Sequence, residues 1–295
     1  MSHWVAVDWG TSRLRAWLME GARAVDRAAS DDGMGRLAPA AFEPALLRLI
    51  GPWLADGPVD VVACGMVGAR QGWIEAGYAA VPCRPVAPPF AAPAVADARL
   101  RVRIVPGLKQ DAPPDVMRGE ETQIAGHLAL TTGFDGIVCL PGSHTKWTEI
   151  SAGEVVSFRT FMTGELFAAI RDHTVLRHTM GKDGDAAAFE TAVNDAMARP
   201  EALAQRLFGL RAEALLSGLA PDSAASRLSG LLIGLELAAA RAYWLGREIA
   251  LIGDEALARR YQSALTAQGV PCTLVDGEQA TLAGLAIARD MAEGA

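Results

Sequence analysis

The sequence predicts an α/β protein in which one arrangement, a mixed sheet covered by helices, is built twice. Three observations carry that expectation. The chain opens on "VAVDWGTSRLRAWLM", an apolar strand that runs into a tight turn and comes straight back as a second strand. A later stretch, "IVCLPGSHTKWTEI", repeats the strand, glycine turn, basic residue and strand. The chain has 295 residues, of which 51% are hydrophobic, enough to fill the cores of two modest domains.

Taken in order, "HWVAVDW", "RLRAWLM" and "RAVDRAA" read as three short strands parted by turns, followed by a helix over about residues 39–54 and a further strand, "VDVVACG". A three-strand meander, a helix and then a strand make a mixed sheet with helical cover. Residues 82–93, rich in Pro and Ala, read as an irregular excursion. "TTGFDG" marks a boundary, and beyond it "EVVSFRTF" supplies the third strand of the second copy. Helices then run through residue 244, and "EIALIG" and "VPCTLVD" are strands with the helix "EALARRYQSALTAQ" between them. Two further helices carry stripes of small residues that let helices cross closely: Ala125 and Ala129 on "EETQIAGHLAL", and Ala280, Gly284 and Ala288 on "QATLAGLAIARDM". The expected division is a first domain over 1–130, completed by the helix 280–295, and a second over 131–279.

Lys and Arg total 27 against 34 Asp and Glu, a formal charge of −7. That balance argues against a polyanion-binding surface, so nucleic acid is not an expected partner, although one small phosphate can still be held locally. Cys64, Cys83, Cys139 and Cys272 lie far apart without CxxC or metal-ligand spacing and read as reduced thiols. Asp8 and Arg13 interrupt the opening residues too early for a signal peptide, and a cytoplasmic location is expected. The most apolar stretch, "LSGLLIGLELAAARAYW", is broken by Glu236 and Arg241 and reads as a buried helix rather than a membrane span.

The opening turn is the first place where chemistry suggests itself. Asp8 ends a strand, Gly10 permits a sharp turn, and Thr11 and Ser12 offer hydroxyls and amide protons. An acid followed by donors can hold a metal ion and an anion together.

The double strand-turn-strand pattern and the two small-faced helices resemble the superfamily of sugar kinases, Hsp70 and actin. The narrower resemblance is to the 2-dehydro-3-deoxygalactonokinase family. It is carried by "DWGTSRLRAWL", "GMVGARQGW", "MRGEETQ", "PGSHTKW", "FRTFMTGEL", "LSGLLIGLE" and "ARRYQ", in family order over nearly the whole chain. The resemblance implies two ribonuclease-H-like (actin-like ATPase) domains with an interdomain cleft, the second of them nucleotide-binding. It also implies transfer of the ATP γ-phosphoryl group, with Mg²⁺, to the 6-hydroxyl of 2-dehydro-3-deoxy-D-galactonate in galactonate breakdown. The rival readings are a kinase of another sugar acid or a hexose, and an actin- or Hsp70-like ATP-driven switch.

Residue by residue, the resemblance makes Asp8 the Mg²⁺ ligand, through coordinated water, and turns Gly10, Thr11, Ser12 and Arg13 toward the phosphates. Gly142, Ser143, His144, Thr145 and Lys146 become the opposing phosphate loop, with Lys146 or His144 supplying positive charge. Leu140 stands in that loop where many superfamily members carry an acid. Glu120 and Glu121 are both candidates for the base, and either also suits the N-terminus of a helix. Arg118 is the first choice to grip the substrate carboxylate, with Arg15 and Arg70 behind it. Met66, Gly68 and Trp73 are expected to shape one wall of the sugar site and Thr163 and Glu165 another, although Trp73 equally reads as a core aromatic and Thr163 with Glu165 as a helix start. Adenine is expected near Gly253 and Asp254, with Gly230 and Gly234 on the other side. No P-loop pattern competes for the nucleotide. The sequence leaves the oligomeric state open, a homodimer included.

Overall fold

A computed structural model describes residues 3–55, 57–182 and 184–294. The outer limits of the expected domains at 1 and of the last helix at 295 lie outside these residues. Strands β1 (His3–Trp9), β2 (Leu14–Glu20) and β3 (Arg23–Ser30) form an antiparallel meander. Alternation sends Val5, Val7 and Trp9 into one core and Trp4 and Ala6 into another, so β1 is buried on both faces. The helix expected over 39–54 is shorter: α1 (Phe42–Ile50) is flanked by single 3-10 turns at Pro39–Ala41 and Gly51–Trp53. Pro52 cannot continue an α-helix from within, which fits the tightened last turn.

Strand β4 (Val59–Cys64) lies parallel to β1 with Asp8 opposite Cys64. Next come β5 (Tyr78–Ala80), β6 (Leu100–Ile104), β7 (Gly107–Asp111), β8 (Pro114–Met117) and α2 (Glu120–Leu130). The first sheet has the order β3-β2-β1-β4-β6, and β5-β7-β8 make a small separate sheet. That small sheet and β6 are additions to the expected elements.

The second half repeats the plan. Strands β9 (Gly136–Leu140), β10 (Thr145–Ser151) and β11 (Glu154–Phe161) lead into α3 (Thr163–His173), α4 (Ala186–Ala198), α5 (Leu203–Leu216), α6 (Pro221–Ala239) and α7 (Arg241–Trp244). The chain closes with β12 (Ile249–Gly253), α8 (Glu255–Ala267), β13 (Cys272–Asp276) and α9 (Gly277–Glu293). The second sheet runs β11-β10-β9-β12-β13, with β12 parallel to β9. Each sheet therefore sets a meander beside a parallel strand in the same order.

By contacts the chain forms two compact units, one of Met1–Asp135, Ile150–Ser157 and Asp276–Ala295, the other of Gly136–Glu149 and Phe158–Val275. In the first, α9 packs on α2 where glycine removes the side chain: a Cβ on Gly126 would sit 1.8 Å from the Ala280 carbonyl, and one on Gly284 would sit 1.9 Å from that of Thr122. The close crossing thus uses Gly126 and Thr122 on α2. Ala125, read as part of the small stripe, instead faces the core of Trp4, Trp17 and Leu285.

In the second unit, Gly230 and Gly234 serve the same purpose. A Cβ at either would meet the Phe189 or Val193 carbonyl of α4 at 2.4 and 2.5 Å. This corrects the expectation that they border the adenine: they face a helix. Among the described residues no helix is long and apolar enough to cross a membrane.

Candidate active site

Period-two alternation puts Asp8 on the same face of the first sheet as Cys64, the face that α2 and α9 cover. The Asp8 side chain is 16% exposed. Its Oδ2 accepts a hydrogen bond from Arg15 of the neighbouring strand, and its Oδ1 lies beside Gly65. Burial raises the Asp8 pKa, and Arg15 opposes that shift. Arg15 is therefore engaged with Asp8.

The turn after Asp8 is closed by Gly10 N–H donating to the Arg13 carbonyl at 2.9 Å. Met34 and Gly35 amides then donate to the Gly10 and Thr11 carbonyls at 3.0 and 2.9 Å, and a Cβ on Gly33 would collide with Ser12 at 2.2 Å. The "GMG" at 33–35 is a backing layer that the sequence reading overlooked. Its signal was the pair of glycines one residue apart. Thr11, Ser12 and Arg13 remain exposed at the tip, Arg13 lying 4.0 Å from Asp31.

Glu120 and Glu121 open α2 and differ sharply. Glu121 is fully buried, its Oε2 accepting from the Gly119 N–H at 2.6 Å and its Oε1 from the Thr122 hydroxyl at 3.0 Å. Burial, helped by the Glu120 charge, pushes its pKa up to about 7. Glu120 is half-buried and accepts from the Arg118 N–H at 3.1 Å. Asp8 and Glu121 both act on the Cys64 thiol, raising its pKa further after burial has done most of the work. The two carboxylates and the thiol thus share one neighbourhood.

Arg118 is turned toward the 66–78 segment. Its Nη2 donates to the Ala76 and Gly77 carbonyls at 2.5 and 3.4 Å, and the guanidinium carbon lies 4.4 Å from the centre of the Tyr78 ring. Its Nε and Nη1 are buried without a hydrogen-bond partner among the described residues, Nη1 lying over Gly68, where a Cβ would stand 2.9 Å away. As placed, Arg118 clamps this segment rather than opening toward a ligand. Met66 packs partly against the first core. Trp73 stacks on Phe42 with centroids 6.3 Å apart and meets Trp9 edge-on at 6.1 Å, the core-aromatic alternative. Arg70 is exposed, 3.6 Å from Glu75.

In the second unit the 142–146 loop rests on the start of α3. The Glu165 amide donates to the Ser143 carbonyl at 3.0 Å, and a Cβ on Gly164 would lie 2.4 Å from the Gly142 carbonyl. His144 Nε2 and the Glu165 carboxylate are 2.5 Å apart. Of the two residues expected at the sugar, Glu165 is therefore bound up with the glycine loop of its own unit, and Thr163 donates to Glu236 of α6. Thr145 and Lys146 are buried, and the Thr145 hydroxyl bonds to Tyr261 at 3.0 Å instead of facing outward.

Gly142, Ser143, Thr163, Gly164, Phe167, Ser229, Leu232, Ile233, Leu257, Arg260 and Tyr261 enclose a cavity of about 250 Å³. Arg260 donates to the Ser229 hydroxyl at 3.2 Å. The α6 lining residues Ser229, Leu232 and Ile233 flank Gly230 and Gly234 in sequence, while the two glycines themselves face α4. Gly253 and Asp254 stand nearby in a different capacity. A Cβ on Gly253 would lie 3.1 Å from the Pro141 carbonyl, and Asp254 caps α8 through the Leu257 N–H at 3.1 Å.

Both groups that a kinase needs fit these residues. Among the described residues no cluster of three or more His, Cys, Asp or Glu could cage a metal. Mg²⁺ retains much of its water and is held by one or two carboxylates together with phosphates, a role that Asp8 suits. A largely apolar cavity that reaches Gly142 and Ser143 suits a nucleoside with its phosphates at the loop.

Two units with the same sheet order, one bearing the strand-end acid and the other the cavity, define the ribonuclease-H-like, actin-like ATPase class of fold. An activator of 2-hydroxyisocaproyl-CoA dehydratase from Clostridium difficile, solved with bound ADPNP, shares that fold at a TM-score of 0.52 and 11% identity, over 99% of this chain and 96% of that one. The chain belongs to the 2-keto-3-deoxy-galactonokinase family, which it matches over residues 8–288. It is 40% identical to a probable 2-dehydro-3-deoxygalactonokinase from Rhizobium meliloti (strain 1021), over 97% of this chain and 96% of that protein. It is 34% identical to the 2-dehydro-3-deoxygalactonokinase of Escherichia coli (strain K12), over 96% of each. The crystal structure of a candidate 2-dehydro-3-deoxygalactonokinase from Sinorhizobium meliloti superposes with a TM-score of 0.90 at 39% identity, covering 97% of each chain.

Proposed function

We propose that this chain is an ATP-dependent sugar-acid kinase that phosphorylates 2-dehydro-3-deoxy-D-galactonate at its 6-hydroxyl. Family membership supports the activity and the acceptor. The observation that carries the chemistry is the neighbourhood of Asp8, Cys64 and the opening of α2, where a strand-end acid and a pair of carboxylates lie together. In this reading the adenosine enters the cavity lined by α3, α6 and α8, with its phosphates at Gly142 and Ser143.

Asp8 would hold Mg²⁺, which would offset charge on the phosphate oxygens. Arg15 favours the charged form of Asp8 against the burial that disfavours it. The hairpin tip at Thr11 and Ser12 donates to phosphate oxygens. The sugar hydroxyl attacks the γ-phosphorus, the bond from that phosphorus to the bridging oxygen breaks, and ADP leaves. A carboxylate takes the hydroxyl proton and returns it to solvent. Glu120 is the one of the pair that solvent reaches, and we assign it that step. Glu121, with both oxygens engaged and no exposed surface, tunes it. A cytoplasmic setting belongs to the same reading, and the four cysteines are thiols.

The test is a coupled ADP-release assay with 2-dehydro-3-deoxygalactonate beside 2-dehydro-3-deoxygluconate and a simple hexose, with the product's phosphate located by NMR. Turnover with the galactonate derivative, placing phosphate on the sixth carbon, is the expected result. ATP hydrolysis indifferent to every acceptor would overturn the reading. A 100-fold or greater loss in Asp8→Asn, with folding retained, is expected in the same assay.

A further inference from the structure

Glu236 is a carboxylate in the middle of the apolar helix α6, 2% exposed, and the reaction has no direct use for it. Three donors converge on it. Trp147 Nε1 of β10 donates to Oε1 at 2.7 Å. The Tyr261 hydroxyl of α8 donates to Oε2 at 2.8 Å, and the Thr163 hydroxyl at the first position of α3 donates to the same oxygen. Since Tyr261 gives its one proton to Glu236, the Thr145 hydroxyl donates onward to Tyr261, 3.0 Å away. Thr163 and Tyr261 themselves line the cavity, α6 lines it through Ser229, Leu232 and Ile233, and Trp147 stands on the strand that follows the lining residues Gly142 and Ser143.

Burying a carboxylate is costly, and an apolar residue would fill the same space more cheaply. A carboxylate, however, has two oxygens that accept several bonds at fixed angles, which no apolar side chain can imitate. We propose that Glu236 is a positioning residue for the nucleotide: by accepting from Trp147, Thr163 and Tyr261 at once, it fixes β10, α3 and α8 relative to α6 and so sets the width of the cavity and the seat of the 142–146 loop. The inference rests on the nucleotide reading of that cavity. Glu236 touches no substrate in it.

The test uses the full-length chain, with ATP titrated by calorimetry and both Michaelis constants measured. Glu236→Gln replaces one acceptor oxygen with an N–H₂ donor, so Tyr261 and Thr163 can keep their bonds to it only by turning their hydroxyls round to accept, which reverses the Thr145–Tyr261 link and weakens the arrangement. The variant's ATP Kd and KM rise about tenfold, while the KM for the sugar acid stays within twofold. Trp147→Phe, which removes a donor that does not line the cavity, raises the ATP Kd about threefold and decides the matter should Glu236→Gln fail to fold. The double variant is no worse than Glu236→Gln alone, since the two act through one bond. Variants that lose thermal stability yet bind ATP like the wild type would overturn the proposal and leave the nucleotide reading intact. A wild type that binds no ATP would overturn that reading, and this inference with it.

Discussion

At the scale of the residue, the two acids that open α2 are told apart by burial. Both suit a helix N-terminus, and the pattern "RGEETQ" offers no ground for choosing. Folding leaves Glu120 in reach of solvent and takes Glu121 out of it entirely. The expected result is a 10²- to 10⁴-fold fall in kcat for Glu120→Gln with ATP affinity unchanged. Glu121→Gln costs less than tenfold. Glu121 ionises as pH passes about 7, the value to which burial lifts it, and sets a second negative charge beside Glu120, so wild-type kcat climbs there. That climb vanishes in Glu121→Gln, and a pH profile of the two variants side by side checks it. Arg118 shows how a residue type can be legible while its use is not. Its guanidinium caps Tyr78 and bonds the Ala76 and Gly77 carbonyls. Arg118→Ala therefore loosens the 66–78 segment, raising the KM for the sugar acid at least tenfold and leaving that for ATP alone. Equal changes in both constants would refute that division.

At the scale of the element, what could be read in advance was whatever local periodicity decides. Strand β1 alternates two cores along its length, and Asp8 falls by count onto the face of α2. Strand β6 also alternates, with Leu100, Val102 and Ile104 buried, and was open to the same reading. Strands β5, β7 and β8 are three to five residues long and are held by pairing to one another, which no run of side chains announces. The glycines divide in the same way. Gly284 was legible as part of a small-residue stripe, whereas Gly126, Gly230 and Gly234 are explained only by a partner helix distant in sequence; Gly10 sits in its turn without a positive φ, with room for a Cβ 3.7 Å from the Arg13 carbonyl. Two substitutions separate these uses. Gly164→Ala drives a methyl group toward the Gly142 carbonyl, so the ATP KM rises more than tenfold while the protein stays folded. Gly284→Ala forces α9 off α2, costing about 1–3 kcal/mol and lowering the melting temperature without a selective effect on either substrate. Calorimetric melting with initial-rate kinetics distinguishes the two outcomes.

At the scale of the whole molecule, the repeated plan was visible because each copy writes the same strand-turn-strand at its start, and the two sheets do share one order. What the repeat does not write is a matched pair of buried acids, Glu121 under the first sheet's face and Glu236 inside the second unit. Burial raises each from its ordinary 4.5 to about 7. The consequence for folding has a definite sign. Between these two values the folded chain holds a proton that the unfolded chain has released, so stability falls as pH rises through the window. Below about 4.5 both states are protonated, and above about 7 both are ionised, so the effect is flat outside it. At one group the fall is on the order of 3 kcal/mol, because each tenfold gain in proton affinity on folding is worth about 1.4 kcal/mol. Other carboxylates titrate in the same range, and the measurement must therefore be a difference. Urea denaturation of the wild type and Glu121→Gln at half-unit steps from pH 4 to 8.5 isolates the one group. The wild type should lose stability relative to the variant across the window and hold a constant gap above pH 7.5. A gap that does not widen between pH 5 and 7 would mean that Glu121 is ionised throughout, and the tuning role assigned to it would fall.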